Sequence, residues 1–206
     1  ERRADLEFIT RAYRFEQVRE SGVLTELFEN LQQASHAYVD LGIFDADGVH
    51  VAYCGPYSLT GKIYKETEWF REAARRGYYI SDVFLGYRNI PHFVVAVCRN
   101  GPQGRWTIRA TIDSLLFNDL VKEVRLGKTG EAYVVNTKGI LQTDRRSGGD
   151  LMQTVEAPLP RPEAPEQIHT FLSTDAKEET HLYATALLKG EEWILVARQE
   201  KSDAFR

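Results

Sequence analysis

One strand-like stretch, RWTIRATID at residues 105–113, alternates apolar and polar side chains. Successive side chains of a strand point to opposite faces, and the apolar face would carry Trp106, Ile108, Ala110 and Ile112. The opposite face would carry Arg105, Thr107, Arg109, Thr111 and Asp113. If a cap covered that polar face, Arg109, Thr111 and Asp113 would form a row that contacts a ligand, because buried charges need partners. Arg109 suits a carboxylate or phosphate, since its planar fork donates two parallel hydrogen bonds. The alternative is a solvated sheet edge or an internal Arg–Asp pair.

A second set of candidates surrounds a short helical segment in KIYKETEWFREAARRGYYISDVF, residues 62–84. Tyr64, Trp69 and Tyr79 could form the wall of a small-molecule pocket, because such pockets are mostly apolar and aromatic with a few polar groups. Aromatic faces also attract ammonium groups. Asp82, in the following strand-like run, is a candidate polar group of the same pocket. The alternatives are that Trp69 only pins the helix to the sheet and that Asp82 serves a turn.

No catalytic motif accompanies these residues. The sequence contains no G-x-x-x-x-G-K-[ST] phosphate loop, no G-x-S-x-G elbow and no G-x-G-x-x-G signature. The histidines show no spacing typical of metal ligands. His92, which follows a proline at the start of a strand, could point at the pocket, but we expect it at an exposed strand end. An enzyme that uses Arg109 and Asp113 has little support. We therefore predict no catalytic residues, no metal site and no cofactor.

The composition of the 206-residue chain is ordinary for a folded protein, with 43% hydrophobic and 27% charged residues and a net charge of −4. No basic stripe is present, so nucleic acid is not an expected partner. The longest apolar run, FVVAVC at residues 93–98, is much shorter than the roughly 20 residues that a membrane span needs. No signal peptide is recognisable, and the charged start is expected to lie within a helix, as in an excised fragment. Cys54 and Cys98 permit one disulfide but do not require it.

The elements that would position the candidate residues begin with a helical segment over residues 1–35. Apolar side chains from Leu6 to Leu31 recur near a 3.6-residue period, which is typical of an amphipathic helix. Ser21 and Gly22 interrupt this period, so we expect a long helix, a break at this pair and a second, shorter helix. The segment could pack on a sheet or serve as a stalk.

The remaining chain predicts two similar units in series. The first would contain a hairpin around Asp45–Gly48, a helix near 66–76, strands near 79–84, 91–99 and 104–112, and a helix at 115–124. In the second, a turn at Gly139 repeats the hairpin, and strands are expected near 168–173, 180–188 and 192–199.

The ends of the two units also match, as GRWTIRATIDSLLF and GEEWILVARQEKSDAF, which indicates a repeated module. A Pro-rich loop at residues 158–166 takes the place of the long middle of the first unit. We predict the α+β class, with two antiparallel sheets in series, each with helices on one face.

In this order the pieces resemble the double Cache (dCache) extracellular sensor domains of bacterial transmembrane receptors, especially sensor histidine kinases. The likeness covers nearly the whole chain, and the order of the pieces is more specific than any single piece. It is carried by LGIFDADGVHVAYCGPY, YKETEWFREAARRGYYISDVF, PHFVVAVCR, WTIRATIDSLLF and LGKTGEAYVVNTKGILQT.

The resemblance implies two tandem PAS-like (Cache) modules joined to a long N-terminal helix. It implies a helical stalk at residues 1–35, a membrane-distal, ligand-binding module at 36–121 and a membrane-proximal module at 122–206. It also implies a periplasmic location, with flanking transmembrane helices outside the given residues. The long helix offers a dimer face, so we expect a homodimer in the full-length receptor. A ligand would lie in the distal module, between the sheet and its cap.

Amino-acid-sensing members of this family share a Tyr, an Arg and a Trp in the cap, followed by a Tyr and an Asp on the sheet. Trp69, Tyr79 and Asp113 take plausible matching positions, and Tyr64 lies near the first Tyr position. Thr67 stands where the resemblance places the Arg that holds the ligand carboxylate. Arg109 could take over that task.

We therefore expect the sensor domain of a two-component histidine kinase, without enzymatic activity of its own, that binds a small polar or carboxylate-bearing metabolite. The predicted ligand-binding residues are Tyr64, Trp69, Tyr79, Asp82, Arg109, Thr111 and Asp113. The alternatives are a module that binds a protein partner and has a vestigial pocket, or the sensor of a chemotaxis transducer or cyclic-dinucleotide enzyme. The second unit lacks a comparable aromatic cap, so we expect it to transmit and not to bind.

Overall fold

The computed structural model describes residues 2–155, 159–164, 166–175, 178–189 and 192–205, and the statements below apply to these ranges. The chain divides between Asp113 and Ser114 into two compact units. Each unit is built on its own antiparallel sheet, which confirms the predicted α+β class. In the described ranges, no helix is both long and apolar enough to span a bilayer.

The N-terminal helical segment is confirmed, but it consists of three helices, α1 (Arg2–Ala12), α2 (Phe15–Val18) and α3 (Ser21–Ala34). The predicted break is present directly before Ser21 and Gly22, between α2 and α3, but a second break follows α1, and α3 is the longest of the three helices instead of a shorter second one. Ser and Gly weaken a helix interior, yet they are tolerated in the first turn, where no backbone hydrogen bond is lost.

The first sheet has five strands in the order β2-β1-β5-β4-β3. Their bounds are β1 (Tyr38–Phe44), β2 (His50–Cys54), β3 (Tyr78–Ile80), β4 (His92–Gly101) and β5 (Gly104–Asp113). The predicted β1–β2 hairpin is present, and Gly48 adopts a φ of 76°, which a tight turn of this kind requires. The third strand is shorter than predicted, and the chain between β3 and β4 forms a loop that contains a short 3₁₀ helix (Gly86–Arg88).

Helices cover both faces of this sheet, which corrects the expectation of helices on one face. On one face, α1 packs against β4 and β5, and α3 packs against β1 and β2. The predicted apolar side chains of β5 are buried there, and the ring of Trp106 lies 6.0 Å from that of Phe15 in α2. On the opposite face, α4 (Glu68–Arg76) packs against β3, β4 and β5. The polar face of β5 is therefore covered by α4, as a cap would require.

The second unit begins with α5 (Ser114–Lys122) and contains a four-stranded sheet in the order β6-β9-β8-β7. Its strands are β6 (Glu131–Asn136), β7 (His169–Thr174), β8 (Thr180–Leu188) and β9 (Trp193–Glu200), followed by α6 (Lys201–Ala204). These bounds agree with the predicted strands. The turn at Gly139 is present, where Gly139 donates to the Asn136 carbonyl. The described part of the predicted Pro-rich loop, residues 159–164 and 166, contains no helix or strand; Pro158 and Pro165 lie outside the described residues.

Candidate functional site

A cavity of about 580 Å³ lies in the first unit, lined by residues of α4, the sheet and the β3–β4 loop. Its aromatic lining consists of Tyr64, Trp69, Tyr79, Phe84 and Tyr87. Its polar lining consists of Thr67, Glu68, Ser81, Asp82, His92 and Arg109. The volume falls in the range of pockets that bind small molecules, and the mixture of aromatic walls and few polar groups is typical of them.

Helix α4 positions one wall of the cavity. Trp69 lies in the first turn of α4 and is 4% exposed, packed on the same side as Phe70 and Ala73. Gly77 ends the helix with a φ of 83°, a left-handed conformation that favours glycine. The chain then reverses directly into β3, where Tyr79 faces the cavity and donates to a carboxylate oxygen of Glu68 at 3.2 Å.

Three aromatic rings surround the guanidinium of Arg109, which projects from β5. The guanidinium carbon lies 5.1 Å from the ring centre of Phe44, 5.2 Å from that of Tyr64 and 5.2 Å from that of Trp69. These distances are within the range of favourable cation–π contacts. Trp69 therefore contacts the sheet and helps to hold Arg109, so its predicted structural and ligand-binding roles are compatible.

The acid nearest to Arg109 is Asp40 of β1. Its Oδ1 lies 3.7 Å from Nη2 of Arg109, and the two side chains are 0% and 4% exposed, respectively. That separation is an ion pair but is too long for a hydrogen bond. The other oxygen of Asp40 accepts a hydrogen bond from the hydroxyl of Tyr53 at 3.1 Å. Asp40 thus offsets the charge of Arg109 without occupying its donors.

Two donors of Arg109, Nε and Nη2, are buried and make no hydrogen bond to any described residue. An unsatisfied buried donor costs about 1–3 kcal/mol, more when the group is charged. The N–H groups on Nε and Nη2 form the edge of the guanidinium that binds a carboxylate through two parallel hydrogen bonds. Since Arg109 lines the cavity, this edge can be satisfied by an oxyanion that enters it.

The hydroxyl of Tyr64 stays protonated at neutral pH and is able to donate. Burial raises the pKa of Tyr64 above its ordinary value, and the positive charge of Arg109 offsets part of that rise. Ser81 is occupied by the protein, because its hydroxyl donates to the Asp82 carbonyl and accepts from the Val94 amide. Arg109 is therefore the cationic donor that this cavity offers to an anion.

The prediction that His92 lies at an exposed strand end is wrong. Its side chain lines the cavity, and only 6% of its surface is exposed. The β3–β4 loop folds back over it, because Phe84 and His92 exchange backbone hydrogen bonds of 2.9 and 3.0 Å. The imidazole Nδ1 donates to the carbonyl of Ile90 at 2.7 Å, and the ring lies 4.5 Å from that of Phe84. This burial depends on a loop that periodicity does not describe.

Several solved structures share this architecture. The ligand-binding domain of the Pseudomonas aeruginosa amino acid chemoreceptor PctB, in complex with L-Gln, superposes with a TM-score of 0.71 at 14% identity, covering 99% of this chain and 84% of that chain. The Pseudomonas fluorescens chemoreceptor CtaA, in complex with L-isoleucine, gives 0.71 at 12% identity, covering 99% and 85%. The extracellular domain of rpHK1S-Z16, assigned as a histidine kinase, gives 0.69 at 18% identity, covering 97% and 86%.

The fold is that of the double Cache sensor domains that the sequence resembles. These identities show the fold alone. No protein-family model matches the chain, and no curated protein matches it.

Within the double Cache fold, five of the predicted site residues come together. Tyr64, Trp69, Tyr79, Asp82 and Arg109 all line the cavity.

Thr111 and Asp113 are not among the lining residues in the described ranges. Thr111 is fully buried and pairs in register with Asp40 on one side and Val94 on the other. Asp113 ends β5 opposite His92. Their roles in binding stay predictions.

Two fully buried polar residues next to this cluster, Asp40 and His50, were not predicted from the sequence. The ring of His50 stacks on Phe44 at 4.2 Å, and a side chain at Gly42 would collide with it, so a glycine is needed at that position of β1. One signal was visible in the sequence: an acid in the otherwise apolar run YVDLGIF must find a partner if the strand is buried.

Two other groups of residues carry no site. Asp175, Glu179 and His181 lie close enough to share a cation, with ligand atoms within 4.8 Å of one another. Both nitrogens of His181 have protein partners, however, because Nδ1 donates to the Glu179 carbonyl and Nε2 accepts from Arg198. Cys54 and Cys98 are free thiols, since β1 and β5 separate their strands.

Proposed function

We propose that this chain is the extracytoplasmic ligand-binding domain of a transmembrane sensor histidine kinase, without catalytic activity of its own. Two observations support this proposal. One is the fold, and the other is a cavity that α4 covers and that Arg109 of the sheet lines. Structures with the same fold include extracellular domains assigned to histidine kinases and ligand-binding domains of chemoreceptors. The alternative is the sensor domain of a chemotaxis transducer, which the chemoreceptor structures favour.

The ligand is a small carboxylate-bearing metabolite held by Arg109. The observation that carries this assignment is that Arg109 lines the cavity while its buried Nε and Nη2 make no hydrogen bond within the described ranges. Two of the similar structures contain L-Gln and L-isoleucine, so amino acids are the first class to test. Glu68 and Asp82 offer acidic groups to the ammonium of such a ligand.

The other predicted residues have supporting roles in this proposal. Tyr64 and Trp69 hold the guanidinium of Arg109 and form the aromatic wall, while Tyr79 orients Glu68. Thr111 and Asp113 contact a ligand only if it extends along β5 beyond Arg109.

Signalling in this proposal follows the module arrangement that the resemblance implies. Residues 36–121 form the membrane-distal binding module, residues 122–206 the proximal module and residues 1–35 the stalk of a homodimer in the periplasm. The ligand shifts the receptor only by as much as it binds one arrangement more tightly than the other.

A thermal-shift screen of the purified chain tests the proposal, with amino acids, organic acids, amines and nucleobases as probes. A ligand that binds only the folded state raises the melting temperature with concentration. We expect carboxylate compounds to raise it and Arg109→Lys to remove the rise, because Lys keeps the charge but lacks the fork. Arg105→Lys is the matched control, since Arg105 lies on the same strand but is exposed and outside the cavity lining.

A module that binds a protein partner is the second candidate. The β3–β4 loop exposes Leu85, Tyr87 and Ile90, with 39, 64 and 47% of their surfaces accessible. Exposed apolar side chains of this kind are a feature of interaction surfaces. A screen without any hit, combined with unchanged folding of Arg109→Lys, favours this candidate over a metabolite sensor.

A further inference from the structure

The first turn of α4, beside Arg109, has backbone donors without acceptors. Thr67 occupies the N-cap position, where a Thr hydroxyl normally accepts a hydrogen bond from the first turn. Here the hydroxyl is turned away and donates to the carbonyl of Tyr64 at 2.7 Å. The amide of Thr67 donates to the same carbonyl at 2.9 Å. The side chain at the N-cap therefore leaves the helix uncapped.

Three amide groups at this end of α4 are left over. The amide of Arg71 donates to the Thr67 carbonyl, which is the first hydrogen bond of the helix. The amides of Glu68, Trp69 and Phe70 find no acceptor in the described part of the chain. Such amides carry the positive end of the helix dipole and are a common site for anions.

Arg109 supplies the second, independent feature of this location. Its guanidinium carbon lies 5.2 Å from the ring of Trp69, and the side chain is 4% exposed. Its Nε and Nη2 are also without hydrogen bonds to described residues. Arg109, Thr67, Glu68 and Trp69 all line the same cavity. Residues that line one cavity thus carry two sets of donors without acceptors, one set on the sheet and one on the helix.

We propose that the carboxylate of the ligand serves as the missing N-cap of α4. Its two oxygens accept in parallel from the Nε and Nη2 edge of Arg109, and one of them also accepts from the amides of the first turn. This inference rests on the proposed function of the cavity. The recognised group is the carboxylate of the ligand, and the element that responds to it is α4. Binding fastens α4 to the sheet, because the same anion is bonded to both.

The lining charges select a carboxylate over a phosphate. Glu68 and Asp82 face the same cavity, so a dianion would meet two acidic groups while a carboxylate brings a single charge. The arrangement also accounts for Thr67 at the position where the resemblance places an Arg. The helix amides and Arg109 together provide the donors that such an Arg would supply.

Thr67→Asp is the decisive variant. Its carboxylate would cap α4 from within and lie close to Arg109, so it occupies the place proposed for the ligand. We expect a higher melting temperature in the absence of ligand and an apparent affinity for acetate at least about tenfold weaker than in the wild type, equivalent to about 1.4 kcal/mol. Acetate is the probe, and acetamide and sodium chloride at equal concentrations are the neutral and ionic controls.

Glu20→Asp is the matched control. Glu20 is the N-cap of α3 and likewise makes no side-chain hydrogen bond to its helix, but α3 does not line the cavity. This variant is expected to raise the melting temperature and to keep the acetate response of the wild type. Inorganic phosphate is expected to give a smaller rise than acetate at equal ionic strength.

A second measurement does not depend on any variant. In the wild-type chain, acetate should slow amide hydrogen exchange at Trp69 and Phe70, because these amides gain an acceptor, whereas acetamide should not. Unchanged exchange there, or a wild-type acetate response in Thr67→Asp, overturns the inference. A larger response to phosphate than to acetate overturns the choice of a carboxylate.

The failure of this inference differs from the failure of the proposed function. If a carboxylate metabolite binds to the wild type and to Thr67→Asp but not to Arg109→Lys, the sensor function stands and the capping role is wrong. If neither acetate nor any carboxylate in the screen stabilises the wild type, both are wrong.

Discussion

Each unit of this chain has a buried acid on a β-strand with arginine beside it, but the two units differ in how many arginine nitrogens make no hydrogen bond to described residues. In the first unit, Arg109 has one long ion-pair contact, 3.7 Å to Asp40, and two nitrogens without hydrogen bonds to described residues. That arrangement borders a cavity.

In the second unit, Glu131 is saturated by the protein. Its carboxylate accepts from the amide of Ser147 at 2.9 Å and from the hydroxyl of Ser147 at 2.6 Å. Arg145 and Arg198 approach the same carboxylate at 3.7 and 3.9 Å. Arg145 keeps one nitrogen, Nε, without a hydrogen bond to described residues, against two on Arg109. A repeated fold thus uses buried charge for structure in one unit and leaves it available to a ligand in the other.

The largest expected effect is that of Glu131→Ala in the second unit. Removal of the buried acid takes the shared carboxylate from two partly exposed arginines and from Ser147, and breaking such a network lowers the free energy of unfolding by about 4 kcal/mol. Urea unfolding of the intact chain measures this loss. Glu131→Gln should cost less, because its amide oxygen still accepts from Ser147. A loss under about 1 kcal/mol for the alanine variant would mean that Glu131 contributes no more than an ordinary surface ion pair. The contrast between the two units would then fail.

Trp69→Ala should have the next largest effect, in the first unit. The side chain is 4% exposed and packs on Phe44, Tyr64 and Phe70, so its removal should lower the free energy of unfolding by about 3 kcal/mol. Binding should be lost with it, because Trp69 also holds Arg109. Trp69→Phe serves as the control and should keep most of the stability. An alanine variant that binds as the wild type does would remove Trp69 from the site.

Arg109→Lys should cost less stability than either change. Lysine keeps a positive charge beside the buried carboxylate of Asp40, which also keeps its hydrogen bond from Tyr53, so we expect a loss of about 1 kcal/mol in the free energy of unfolding. The thermal response to carboxylates should nevertheless disappear. If this variant were as unstable as Glu131→Ala, Arg109 would be a structural residue, and the contrast between the units would fail.

The smallest expected effect concerns Asp144 of the second unit. Burial raises the pKa of its carboxyl, but hydrogen bonds from Lys122, the Leu151 amide and Asn118 outweigh burial and lower the pKa below 3.8. A lowered pKa means that the contribution is complete above the ordinary pKa and is lost as pH falls through the folded-state value. Asp144→Asn should lower the free energy of unfolding by about 0.5 kcal/mol at pH 7, since the group is partly exposed. The difference between variant and wild type should shrink in acid; a constant difference would contradict the assignment.

The sequence predicted those parts of the site that follow from local periodicity. Alternation along β5 was enough to place Arg109 opposite Trp106, and the aromatic residues around α4 indicated the wall. Asp40 and His92 were beyond such reasoning, because their positions depend on strand pairing and on a loop that folds back over β4. The orientation of the Thr67 hydroxyl was likewise unpredictable, since a Thr before a helix normally caps it.

The most direct test of the central claim is calorimetric titration of the strongest carboxylate hit from the screen into the wild type, Arg109→Lys and Arg105→Lys. We expect Arg109→Lys to bind at least about tenfold more weakly, because the loss of a bidentate contact removes more than 1.4 kcal/mol. Arg105→Lys should bind as the wild type does. Equal affinities of Arg109→Lys and the wild type would show that the open edge of Arg109 is not the ligand site.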